Sequence, residues 1–281
     1  MRPLKYPLLL FHVVCTVQHF IYNTLLVPYV FLPSSASFGA GFLSLLNIPQ
    51  IVQIMIFFLF LYCTIAAVTF IFEYLSSIIV NNKCKIRSNY FRFMYYSGNV
   101  LLNFLITLHF ISLYPKDQDI AKLEALELMP CPTKEFFTQP VFVLMNPHLK
   151  NTIMIYVGSI LIGIALLQLL FFVLRCKRCL RCCSSGLTEI NRHLYKYFRR
   201  ICWTICIPTL MIVMSCAVMI IASINNQLTQ GITNICLTLF GLFGLFESIG
   251  MIIFHEPYRK AMLGLFNTEH KIKALELDKN W

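Results

Sequence analysis

The chain has 281 residues, of which 58% are hydrophobic and 12% charged, with 25 Phe. A soluble domain of this size carries about a quarter charged residues, so the composition indicates a polytopic membrane protein with little room for a separate soluble domain. The formal net charge of +11 sits in loops between apolar runs, so it bears on membrane topology and not on nucleic acid.

Span one runs from about Pro7 to Leu32 behind Arg2 and Lys5. A basic start before an apolar run also marks signal peptides, and Ser34-Ser35-Ala36 could pass for a cleavage region. The run is far longer than the roughly 7–15 apolar residues of a signal sequence, so it is read as a retained span. The uncharged stretch 33–50 is read as a loop broken by Gly39, Gly41 and Pro49. Span two is about Ile51 to Phe72 and span three about Phe93 to Tyr114, with Lys83, Lys85, Arg87 and Arg92 between them. Residues 115–150 form the largest polar segment. Within it the spacing of Asp117, Asp119 and Lys122 predicts a short surface helix that Pro130-Cys131-Pro132 ends.

Span four is about Asn151 to Leu174, and a strongly basic loop follows through residue 200. Span five is about Ile201 to Ser223. Span six, about Ile232 to Phe254, carries one charge, Glu247, and stops at His255-Glu256-Pro257-Tyr258-Arg259-Lys260. At about 1.5 Å per residue it is long enough to cross a hydrocarbon core of about 30 Å. Nineteen of the 23 Lys and Arg fall on the side of the two termini, and four on the side of the 115–150 segment. That asymmetry predicts six spans with both termini cytoplasmic.

No enzyme, metal or cofactor is expected. His255-Glu256 lacks a second His four positions on, and there is no Gly-x-Ser-x-Gly elbow or phosphate-binding Gly-rich loop. His12 and His19 lie seven apart on one face of span one, with no apparent further ligand at their depth, and are read as polar groups facing the bundle interior. Cys176, Cys179, Cys182 and Cys183 beside Lys and Arg fit reversible palmitoylation better than zinc, with plain reduced thiols also open. Cys131 has no obvious partner in the other loops on its side. Glu247 lies about 12 Å in from His255 by helical rise, and a buried intramembrane acid is either functional or a hydrogen-bonded packing residue. Gly241, Gly244 and Gly250 around it suggest close helix packing.

Four stretches carry a family resemblance. They are Pro28-Tyr29-Val30-Phe31-Leu32-Pro33 with Gly39-Ala40-Gly41-Phe42-Leu43, then Phe72-Glu73, then residues 117–122 with Leu128-Met129-Pro130-Cys131-Pro132, and finally Phe254-His255-Glu256-Pro257-Tyr258-Arg259. Together they resemble the nematode serpentine chemoreceptors of class H, of the seven-helix G-protein-coupled type. The resemblance implies an all-α integral membrane bundle in the plasma or ciliary membrane of sensory cells, a small-molecule ligand and a heterotrimeric G protein. Matched by order, span one looks like the family's second helix, so the chain is expected to lack the first. It also has Tyr74-Leu75 where the family follows Phe-Glu with Asn and Arg, which puts G-protein coupling in question. Candidate pocket residues are Tyr29, Tyr62, Asn103, His109 and Glu247, and candidate G-protein-facing residues are Glu73, Arg199, Arg200, Tyr258 and Arg259. The alternative is a six-helix transporter or channel using Glu247. No repeat of the two halves or matched pair of broken helices supports it in the sequence.

Overall fold

Apolar segments that must satisfy their own backbone in lipid have one local solution, the helix. The computed structural model of the chain describes residues 5–32, 34–78, 86, 88–129, 132–144, 164, 167–178, 189–225, 227–256 and 258–264. In chain order the helices are α1 (Lys5–Phe20), α2 (Phe42–Leu45), α3 (Gln50–Ile78), α4 (Asn89–Ile111), α5 (Gln118–Leu128), α6 (Glu135–Thr138), α7 (167–178), α8 (Glu189–Ile224), α9 (Gln230–Gly241) and α10 (Phe243–Phe254). Four helical stretches among the described residues are long and apolar enough to cross a membrane, namely Tyr6–Leu26, Gln50–Ile78, Tyr195–Ala222 and Gln230–Phe254. These correspond to expected spans one, two, five and six. Span three corresponds to α4, a 23-residue helix against α3 that carries Arg92 and a row of Asn and Ser. The expected span four falls largely outside the described residues.

The helical bundle is as expected, and three local features depart from the sequence reading. Span one does not stay α-helical to Leu32. It passes into a π-helical turn, Ile21–Leu26, and leaves it through Val27 at φ 40°, a left-handed conformation that β-branched residues rarely adopt. The chain then forms β1 (Pro28–Phe31), which pairs antiparallel with β2 (Ala36–Gly39), and β2 pairs with β3 (Phe142–Val143). Second, span six is two 12-residue helices broken at Leu242. Third, α8 begins at Glu189, so the second half of the expected basic loop is a helical extension carrying Arg192, Lys196, Arg199 and Arg200.

The sheet could not form without glycine at its exit. Gly41 N–H donates to the Leu26 carbonyl at 3.0 Å, and a Cβ at Gly41 would stand 2.4 Å from the Leu25 carbonyl oxygen. The return strand therefore lies directly against the end of the π turn.

Two apolar cores result. One gathers Phe11, Ile71, Leu75, Phe198, Ile201 and Met251 where α1, α3, α8 and α10 converge, at the end of the bundle away from the sheet. The other packs Phe31, Phe38, Ala121, Ala125, Phe136 and Val143 between the sheet, α5 and α6. Outward aliphatic side chains such as Leu210, Val213 and Ile220 on α8 stay exposed, as a lipid-facing surface requires.

Candidate functional site

Between the two cores lies a cavity of about 320 Å³. The π turn contributes Tyr22, the start of α3 contributes Ile54 and Phe57, α8 contributes Met219, and α9 contributes Leu237 and Phe240. The rings of Tyr22, Phe57 and Phe240 pack on one another with centroids 5.4–5.9 Å apart. The sheet roofs it through Pro28, Val30, Ser35 and Ser37.

None of the five residues expected in a pocket lines this cavity. Side chains alternate along a strand, so Pro28 and Val30 face the cavity while Tyr29 between them turns to the other core and stacks on Phe38 at 5.0 Å. Tyr62 is buried with its hydroxyl bonded to Thr107 of α4. Asn103 donates to the Asn99 carbonyl at 2.7 Å, and His109 is exposed. Glu247 is fully buried farther down α10, where His12 Nδ1 lies 3.0 Å from its Oε2. The pairing of His12 with Glu247 was missed. Counting helical rise from Lys5 and from His255 puts both near the same depth, and that signal could have found it.

Just below the cavity, the end of α1 and the π turn support the break in span six. The Gly241 carbonyl accepts from Asn23 Nδ2 at 2.8 Å and from His19 Nδ1 at 2.9 Å, and the Tyr22 hydroxyl donates to the Leu237 carbonyl at 3.1 Å. The glycines allow this approach, since a Cβ at Gly241 would stand 2.5 Å from Asn23 Oδ1 and one at Gly244 would stand 2.5 Å from His19 Cβ. His19 and His12 thus both face the α9–α10 segment, one at its break and one on its acid.

The end away from the sheet holds the residues expected to face a partner, in two groups. Arg199 and Arg259 are exposed. Tyr258 is half-buried with its ring edge-on to His12 at 6.0 Å. Lys260 pairs with the exposed Glu256 at 2.8 Å and holds its carboxyl below the usual range, with Arg259 and Arg200 adding to the effect. Glu73 does not face outward. It is 1% exposed and accepts from Arg92 Nε at 2.7 Å and Nη2 at 3.1 Å, a bidentate pair. Arg92 also donates to the Ile86 carbonyl and stands over the Tyr74 ring at 5.5 Å.

Of the cysteines considered for lipidation, Cys176 is 0% exposed in the bundle core, where an acyl donor has no access. Cys179, Cys182 and Cys183 lie outside the described residues, as does Cys131. No group of three His, Cys, Asp or Glu able to hold a metal occurs among the described residues.

The family model described as Serpentine type 7TM GPCR chemoreceptor Srh matches residues 1–268. The chain is 28% identical over 269 residues to "Serpentine receptor class H-72" of Caenorhabditis elegans, covering 95% of this chain and 76% of that one. No solved structure matches the chain. With the matched residues running from span one through the stretch that closes span six, the chain belongs to the Srh (class H) family of serpentine 7TM GPCR chemoreceptors.

Proposed function

We propose that this chain is a chemosensory receptor of a sensory-cell membrane that binds a small molecule in the cavity beneath the sheet and signals to a heterotrimeric G protein at the opposite end. The observation that carries the reading is the position of the cavity. It touches the π turn of span one and the helix that breaks at Leu242, the two spans whose regularity fails. A ligand that shifts Tyr22 or Phe240 acts on the hydrogen bonds made to α9 just before the break, and α10 runs from there to Phe254, beside His255. Binding that favours one arrangement of this segment over another shifts a two-state equilibrium. Arg199, Arg200, Tyr258 and Arg259 form the proposed face for the G protein. The cation asymmetry supports a cytoplasmic side for that face and both termini, with the sheet outside.

The test is cue-evoked G-protein activation in cells expressing the full chain. The Met219→Trp variant, which fills the cavity, is expected to reach the surface at wild-type level and lose the response. A response unchanged by Met219→Trp places the ligand elsewhere. The second reading, a transporter or channel, draws on the buried Glu247 and its partner, the half-buried His12, since ionisable groups at such depth mark ion pathways. Glu247→Gln abolishes solute flux under that reading, whereas a receptor with the variant at its surface retains a response.

A further inference from the structure

We propose that the cavity takes an uncharged, largely apolar molecule, recognised chiefly by shape and aromatic contact. This rests on the cavity being the receptor's ligand site and adds the chemical class of the ligand.

Three observations carry it. No Asp, Glu, Lys, Arg or His lies among the described residues that line the cavity. A charged ligand would therefore give up its hydration with no counter-charge to meet it, a cost that ordinarily keeps unpaired ions out of such sites.

Of the polar side chains that reach the wall, Tyr22, Gln53 and the carbonyl oxygen of Gln50 are engaged with the protein itself. Among the described residues this leaves the Ser35 and Ser37 hydroxyls and the Gln50 amide nitrogen as the polar groups open to a ligand. The Tyr22 hydroxyl donates to the Leu237 carbonyl at 3.1 Å. Gln53 Nε2 donates to the Ile48 carbonyl at 2.9 Å and the Ser44 hydroxyl at 3.1 Å, and its Oε1 accepts from that hydroxyl at 3.3 Å. Gln50 Oε1 accepts from Gly39 N–H at 3.0 Å. At those three residues a polar ligand would have to compete with bonds the protein already makes.

What remains is the ring cluster of Tyr22, Phe57 and Phe240 with Ile54, Met219 and Leu237 around it. At about 320 Å³ the cavity is at the small end of the range for ligand pockets. It suits one compact molecule. Apolar walls discriminate weakly, by about 10–200-fold per methylene, so the receptor is tuned to size and tolerates related skeletons.

Cys216 lines the cavity and reports its occupancy. The experiment uses the full chain in nanodiscs and follows alkylation of Cys216 by N-ethylmaleimide, read by peptide mass spectrometry. Added compounds come in pairs sharing a skeleton and differing in charge: methyl benzoate with benzoate, 2-heptanone with heptanoate, and cyclohexanol with cyclohexylammonium. The neutral member of at least one pair is expected to slow alkylation about tenfold at about ten times its Kd, with its charged partner inert. Met219→Trp is expected to remove that protection, and Phe57→Leu to weaken it.

Protection by the charged members equal to that by the neutral ones overturns the proposal and leaves the cavity as the ligand site. Absence of protection by every neutral compound also overturns it. So does Cys216 that is protected before any addition and freed by delipidation, because the occupant is then an acyl chain. The receptor reading fails separately, if cue-evoked G-protein activation proves indifferent to Met219→Trp.

Discussion

Glu73 and Arg92 sit nineteen positions apart in the chain and meet through two hydrogen bonds, with Glu73 buried and Arg92 nearly so. The pair ties the end of α3 to the start of α4. Removing one partner strands the other, which typically costs about 3–5 kcal/mol for a buried ion pair. Arg92→Ala is therefore expected to lower the thermal stability of the detergent-solubilised protein sharply. The double variant Glu73→Gln with Arg92→Ala is expected to recover part of that loss, and simple additivity of the two single effects would show that the pair is not coupled. From sequence, Glu73 looked like a residue offered to a partner because it ends a span. Its partner was hidden because ion pairing across a loop depends on how α3 and α4 pack, and no local pattern encodes that.

At the scale of single elements, local chemistry was legible at the start of α5. Asp117 accepts from the N–H groups of Asp119 and Ile120 at 3.1 Å each, at the start of the surface helix predicted from its spacing. Asp117→Ala is expected to destabilise α5 by about 0.5–2 kcal/mol, read as faster amide exchange in that helix with the spans unaffected. The break in span six was not legible. Residues 232–254 look like one helix, and the two side chains that support the break at Gly241 come from residues 19 and 23. The glycines gave a partial signal. Close packing was expected around Gly241, Gly244 and Gly250, and at Gly244 it is tight enough that Gly244→Ala drives a methyl toward His19. Overpacking of this kind costs about 1–3 kcal/mol, and loss of surface delivery or melting temperature would report it. Normal stability with Gly244→Ala would mean that α1 and α10 are more loosely packed than described.

Across the whole molecule, the two cores divide the labour. The core away from the sheet binds the spans together, while the sheet core closes the other end and leaves the cavity between them. The proposed orientation rests on the asymmetry of the cations. Epitope tags at both termini are expected to be reachable only after permeabilisation, with the 115–150 segment reachable in intact cells. A terminus accessible from outside would reverse the proposed sides or change the number of spans.

The composition and hydropathy were enough to indicate a membrane bundle, the approximate place of four of its apolar helices and, through four short stretches, its family. Those properties are local sums, because hydropathy over about 20 residues decides partition into lipid whatever the neighbours do. The cavity, the bidentate pair, the π turn and the broken sixth span were decided only by tertiary structure. The cavity, the pair and the supported break each join residues distant in the chain, and strand alternation turned Tyr29 away from the cavity and its neighbours Pro28 and Val30 toward it.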